Sequence, residues 1–230
     1  MDSLNFQTFL ASLLPSPCFV LDKAIPHHKY ISIDLSVQNK ALESFDINSS
    51  NAWEQYINKY CDQNQAEVAY GGYLERRNIY KRSNYFNSMN QALERNIHLG
   101  MDFWSPSGTV IYTPLDAEVH SFANNTNFGD YGPTIILLHR HHDLYFYTLY
   151  GHLSLESIAH LKIGQYLKAG TPFAKLGSSE VNGDYAPHLH FQIIKNIGDY
   201  KGDYPGVCSQ SQLEFYRNNC PDPNLLLKLY

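Results

Sequence analysis

The spacing of apolar residues changes near residue 90. Up to about Ser88 they recur at helical intervals or without a sustained period, as in "NAWEQYINKYC", which predicts a small helical or mixed N-terminal region. From Ile97 onward, short stretches alternate apolar and polar residues between breaks of Gly, Pro, Asn and Asp. That is the pattern of an antiparallel sheet with one buried face. "TVIYTPL", "AEVHSFA", "TIILLHR" and "YFYTLYGHL" read as four successive strands. The last two flank His141, His142 and Asp143, a break short enough for a hairpin turn. "LESIAHL" fits a short helix after Ser154, and "IGQYLKAGTPFAKLG" returns to strand and glycine turns. A faint echo between "GTVIYTPLDAEV" and "GQYLKAGTPFAKL" points to two similar β-units. The expected organisation is residues 1–88 helical or mixed, residues 89–200 a β-domain, and residues 201–230 a C-terminal extension packed on it.

Composition narrows the functions open to such a chain. With 43% hydrophobic residues in 230, it can bury a substantial core. A net charge of -5 and no long basic run argue against a nucleic-acid partner, and no stretch has the apolar length of a membrane helix. The opening "MDSLNFQTFLASLLPSPCFV" has an acidic residue where a signal peptide needs positive charge. No signal peptide is therefore visible, which leaves location open between the cytoplasm and export by another route. Cys18, Cys61, Cys208 and Cys220 are too few and too scattered for a disulfide scaffold. For Cys208 and Cys220, a bridge and two buried thiols remain alternatives.

Candidate chemistry is concentrated in two motifs. In "YAPHLHFQII", residues 185–194, Leu189, Phe191 and Ile193 alternate with His188 and His190, so the two imidazoles share the polar face of a half-buried strand. An HxH pair alone is weak: eleven histidines in this length give about half of one such pair by chance. His139 and His141 form a second pair, which the pattern places with His142 at a hairpin tip and to which we assign no metal role. The first pair gains meaning from "RNIHLGMDFWSPSGT", where His98 and Asp102 fall on one strand face with Gly100 between them leaving room for a ligand. A catalytic zinc site takes three protein ligands and keeps one position open. His98, Asp102 and one of His188 and His190 fill that requirement, the alternative being a surface ion pair between His98 and Asp102.

With these motifs in place, the chain resembles the lysostaphin/LytM-type zinc endopeptidases of bacterial cell walls, which carry HxxxD and HxH ligand motifs. The resemblance runs through "HLGMDFWSPSGTVIYTPLDAEV", "GPTIILLH", "YTLYGHLS", "GQYLKAGTPFAKLG" and "PHLHF", five blocks in order over roughly residues 97 to 194. It implies a mainly β fold of the duplicated hybrid motif type, an antiparallel β-sheet groove with one Zn2+ per chain at its floor. It also implies a peptide or peptidoglycan substrate. Position by position it makes His98, Asp102 and His190 the zinc ligands, and His152 of "YGHL" and His188 the non-ligand catalytic histidines. Arg77, in the arginine-bearing segment "YLERRNIYKRSNYF", is then a contact for a substrate carboxylate, and Tyr150 and Tyr185 are placed at the groove as further substrate contacts. The stretch "SSEVNGDYA" before PHLHF departs from the small residues common there in the family. Two other readings use a related scaffold. A phosphotransfer carrier of the glucose IIA type also uses two neighbouring histidines but has no need for HxxxD together with HxH. A non-catalytic zinc-binding adaptor would be expected to have lost ligands.

Overall fold

In a computed structural model, which describes residues 3–83, 86, 90 and 92–230, the alternating segments form strands. In chain order these are β1 (Tyr30–Ser32), β2 (Val68–Gly71), β3 (Arg95–His98), β4 (Met101–Trp104), β5 (Val110–Tyr112), β6 (Ala117–Asn125), β7 (Gly132–His141), β8 (Leu144–Gly151), β9 (Tyr166–Leu167), β10 (Pro172–Lys175), β11 (His188–Ile194) and β12 (Val207–Ser209). Helices are α1 (Ser3–Leu13), α2 (Ser50–Gln63), α3 (Glu156–Ala159), α4 (Leu213–Asn219) and α5 (Asn224–Leu227). One large sheet has the order β1-β2-β4-β11-β8-β7-β6-β9, antiparallel except for the parallel β1/β2 pair. Two antiparallel ribbons, β5/β10 and β3/β12, flank it. The architecture is mainly β, as the alternation predicts. The expected boundary at residues 88–89 lies outside the described residues. Among those described, no helix is long and apolar enough to cross a membrane.

β11 organises the site because its two faces differ. Leu189, Phe191 and Ile193 are fully buried in the main apolar cluster with Met101, Phe103, Ile135, Leu137, Phe146 and Tyr150, each such side chain contributing roughly 1.5–3 kcal/mol by leaving water. The other face presents His188, His190 and Gln192. Helix α2 approaches beside that polar face. Ser49 caps it by accepting from the Ala52 N–H, and Trp53, Ile57 and Cys61, four residues apart, form one stripe. The stripe packs with Ile33, Leu35, Ala69, Trp104 and Ala186, so the N-terminal region stands next to the histidines.

Two sequence expectations are corrected here. His98 and Asp102 do not share one continuous strand: β3 pairs with β12, while β4 belongs to the large sheet. Leu99 accordingly packs with Ile97, Tyr131 and Ile136, apart from Met101 and Phe103. Gly100 sits at the break, and a Cβ there would lie 2.6 Å from the His190 ring and 2.7 Å from the Phe191 carbonyl. It makes room for His190, not for a ligand. The second correction concerns His139. The β7/β8 turn is at His142 and Asp143, whereas His139 points inward at 2% exposure. Its Nδ1 donates to the Asp116 carbonyl at 2.9 Å, and its Nε2 lies 2.7 Å from the Thr148 hydroxyl.

Burial pushes the His139 imidazole down to about 4, so it folds neutral. As pH falls below the ordinary value, the unfolded chain takes up the proton before the folded one does. Its contribution is therefore complete above about pH 6.5 and is lost as pH falls through about 4, roughly 3 kcal/mol in all. Urea unfolding at pH 7 and pH 4.5 should show a smaller acid penalty for His139→Gln than for the unaltered chain. Equal penalties would remove His139 from the acid sensitivity of the fold.

Candidate metal centre and active-site pocket

The break between β3 and β4 and the pairing of β4 with β11 bring three side chains to one point. His190 lies opposite Asp102 in the strand register. His98 Nε2 is 2.8 Å from His190 Nδ1 and 3.2 Å from Asp102 Oδ1, and His190 Nδ1 is 3.1 Å from the same oxygen. None of the three residues is more than 2% exposed.

The hydrogen bonds behind these atoms decide what the centre can hold. His98 Nδ1 faces the Gly72 carbonyl at 2.9 Å, which can only accept, so that nitrogen carries the proton and Nε2 offers a lone pair. His190 Nε2 faces Gln192 Oε1 at 2.9 Å. The Gln192 amide cannot be reversed without loss, because its nitrogen donates to the Pro205 carbonyl and to Cys220 Sγ, each at 3.2 Å. His190 therefore also turns an unprotonated nitrogen, Nδ1, inward. Two lone pairs and a carboxylate oxygen converge within 4.8 Å of one another and repel unless a cation lies among them. The donor set fits a zinc-type ion, which binds neutral imidazole and carboxylate. Burial pushes the Asp102 carboxyl upward, but neighbouring His98 and Arg77 outweigh it and hold the group well below the usual carboxylate range. Burial likewise pushes His98 down to about 4.

A second pair of imidazoles stands alongside. His152 and His188 have ring centroids 4.2 Å apart, and His188 Nε2 is 3.9 Å from Asp102 Oδ1. His152 Nδ1 donates to the Asn182 carbonyl and His188 Nδ1 to the Ala186 carbonyl, both at 2.7 Å, which leaves each Nε2 with a lone pair. His188 is stacked on Trp104, 5.6 Å between centroids. His152 sits in the left-handed backbone region at φ 63, a conformation uncommon outside glycine and held here by the buried Asn182 contact. Burial lowers both imidazoles, His152 well below the ordinary value with help from the neighbouring His188.

The predicted substrate contacts fare differently. Tyr185 reaches the pocket: its ring lies 5.0 Å from His152 and 5.7 Å from His188, and its hydroxyl donates to the Gly129 carbonyl at 2.8 Å. Tyr150 does not. It pairs with Phe191 across β8 and β11, shares that residue's core face, and is fully buried between Phe173 and Phe191. Arg77 lines the pocket at 5% exposure. Its Nη1 is bonded to Asp102 and its Nε donates to Glu75 at 2.7 Å, while its Nη2 has no partner among the described residues. Glu75 in turn accepts from the Leu35 N–H at 3.1 Å, which ties the N-terminal region to the centre. The second HxH pair is elsewhere, and all four cysteines are free thiols.

Three contributors escape the motif reading. Gln192 continues the polar alternation of His188 and His190, so extending the period by one more step would have found it. Tyr131, whose hydroxyl is 3.4 Å from His190 Nε2, carries no motif. Neither does Gly72, where a Cβ would collide with Arg77 Nη2 and lie 2.9 Å from His98 Nδ1.

A family model for peptidase family M23 matches residues 96–201. Among solved structures the chain is similar to a putative M23 peptidase from Pseudomonas aeruginosa, at 21% identity over 63% of this chain and 53% of that one, with a TM-score of 0.39. It is similar to the catalytic domain of the antimicrobial peptidase lysostaphin from Staphylococcus simulans, at 25% identity over 53% and 80% of the two chains, TM-score 0.36. A zinc-containing peptidase from Vibrio cholerae aligns at 29% identity over 43% of this chain and 27% of that one, TM-score 0.33. The chain thus spans 53% of the Pseudomonas protein and 27% of the Vibrio protein. Comparison with curated protein sequences finds no match. The match to the peptidase family M23 model covers His98, Asp102, His152, His188 and His190 together, so residues 96–201 of this chain are similar to an M23 peptidase domain.

Proposed function

We propose that the protein is a zinc-dependent metallopeptidase that hydrolyses peptide bonds of peptidoglycan stems or crosslinks, with His98, Asp102 and His190 holding one Zn2+. The observation that carries this reading is the inward lone pairs of His98 Nε2 and His190 Nδ1, both forced by acceptor-only partners behind them. Zinc bound there supplies a Lewis acid that polarises a carbonyl and lowers the pKa of a water. The neutral His188 and His152 have free Nε2 atoms beside that point, able to accept a proton and return it to a leaving amine. Either can also steady developing negative charge by donating once protonated. Tyr185 and Trp104 hold the His152/His188 pair from its sides, and Arg77 orients Asp102 through the second carboxylate oxygen.

The purified protein should contain one zinc per chain, lose peptidoglycan hydrolysis on chelation and regain it on zinc addition. A protein that neither contains nor rebinds stoichiometric zinc would end this reading. Gln192→Leu should weaken zinc binding roughly 10- to 100-fold by releasing the His190 ring from its tautomer and orientation. Competition with a chromogenic chelator measures this; unchanged affinity would show that Gln192 does not position the ligand.

A further inference from the structure

We infer that Arg82 is a positioning residue for the proposed catalytic pair His152 and His188, so that the N-terminal region, which lies outside the residues matched by the peptidase family model, completes the active site. The inference rests on the metallopeptidase reading and adds to its machinery a residue that no motif carries. The route runs through the loop ahead of β11. Two carbonyls of that loop, those of Asn182 and Ala186, accept from Nδ1 of His152 and of His188, each at 2.7 Å. They decide which nitrogen of each imidazole keeps a lone pair for the reaction. Between them, Tyr185 sets its ring 5.0 Å from His152 and 5.7 Å from His188. The Asn182 side chain accepts from the Tyr185 N–H at 2.9 Å and donates to the Tyr185 carbonyl at 3.1 Å, which ties the loop into one unit. A shift of this unit moves the partners of both histidines together.

The loop is held from outside. Gly183 and Asp184 are successive left-handed residues, at φ 86 and φ 65, and Asp184, unlike the glycine, adopts that backbone at a cost that surrounding contacts must offset. Those contacts come from the N-terminal region. Arg82, at the end of the short helical turn Ile79–Arg82, donates from Nη2 to the Asp184 carbonyl at 2.6 Å and from Nη1 to the Asp184 carboxylate at 3.4 Å. Ser50, the first residue of α2, donates to the other carboxylate oxygen at 2.7 Å. The guanidinium also lies 4.2 Å from the Tyr185 ring centroid and 5.1 Å from that of Phe128, a cation–aromatic stack in which the Arg82 side chain is 2% exposed. One residue thus fixes the backbone of Asp184 and the ring of Tyr185 at once. Lysine cannot do both, because it lacks the planar fork. Neither Arg82 nor Ser50 lines the pocket; both act through the loop.

Turnover, zinc content and imidazole tautomers of Arg82→Ala and Arg82→Lys, set against the unaltered zinc-loaded protein, test this. Arg82→Ala should keep one zinc per chain, since the partners of His98 and His190 are untouched, and lose roughly 10- to 100-fold in peptidoglycan turnover. Arg82→Lys should fall between the two. Ser50→Ala, which removes a single hydrogen bond to the loop, should lose less in the same direction, and these two variants carry the test if the alanine variant does not fold. Long-range proton–nitrogen NMR correlation reads the tautomers without any substrate. His152 and His188 should each be protonated on Nδ1 alone in the unaltered protein and become mixed in Arg82→Ala, whereas a substitution that only lowers stability leaves the tautomers of the folded protein as they were. Turnover unchanged or raised, or lowered with both tautomers intact, overturns the inference. An unaltered zinc-loaded protein that cleaves no peptidoglycan overturns the metallopeptidase reading instead, and the tautomers alone then decide whether Arg82 positions the pair.

Discussion

His188→Ala is expected to keep one zinc per chain and to lose roughly 100- to 10,000-fold in turnover, the range contributed by a positioned acid–base group. The reason is geometric. His188 stands 3.9 Å from Asp102 Oδ1, outside the tight triangle of His98, Asp102 and His190, and its Nδ1 is already bonded to the Ala186 carbonyl. Its removal also takes away the ring stacked on Trp104 and facing His152 but leaves every atom of the triangle in place. The pH profile carries the same information. Burial lowers both His188 and His152, so the acid limb of the unaltered enzyme should lie below about 6.5, the value of a free imidazole. Loss of zinc by ligand protonation gives a similar limb, and excess zinc separates the two, because it rescues only the latter. Zinc loss from His188→Ala would move this residue into the ligand set.

His98→Ala should behave in the opposite way, losing stoichiometric zinc and all zinc-dependent activity together. Only two protein ligands remain, fewer than the three a catalytic zinc site uses. The vacancy also leaves the Gly72 carbonyl without its partner and places Asp102 beside Arg77 with one fewer neighbour. Elemental analysis of the two variants side by side distinguishes ligand from acid–base histidine. Full zinc in His98→Ala would contradict the assignment of the HxxxD motif.

Much of this arrangement was legible in the residues. Alternation in "PHLHFQII" puts His188 and His190 opposite Leu189, Phe191 and Ile193, and the faces of β11 divide that way. The five ordered blocks correspond to strands of the large sheet and of the β5/β10 ribbon, and all lie within the residues matched by the peptidase family model. What the pattern hides is a change of sheet without a change of period. Leu99, Met101 and Phe103 alternate smoothly, yet the first packs in one cluster and the other two in another, and Gly100 is the lone sign of the break. Tyr150's own parity puts it with Phe191 on the core face and not at the groove. β1 and β2, three and four residues long, are too short to show a period and join the sheet through the partners they find. His139 is polar and next to a turn, and only the tertiary pairing with Asp116 and Thr148 shows that it is buried. How the N-terminal region lies against Trp104 and Ala186 is encoded by no local pattern.

The central claim is that His98, Asp102 and His190 are the zinc ligands. An anomalous difference map at the zinc absorption edge, from crystals of the zinc-loaded protein, tests it directly. One strong peak is expected about 2.0–2.2 Å from His98 Nε2, Asp102 Oδ1 and His190 Nδ1. A zinc peak coordinated by His188 or His152 in place of one of these, or no peak at the triangle in crystals that contain zinc, would contradict it.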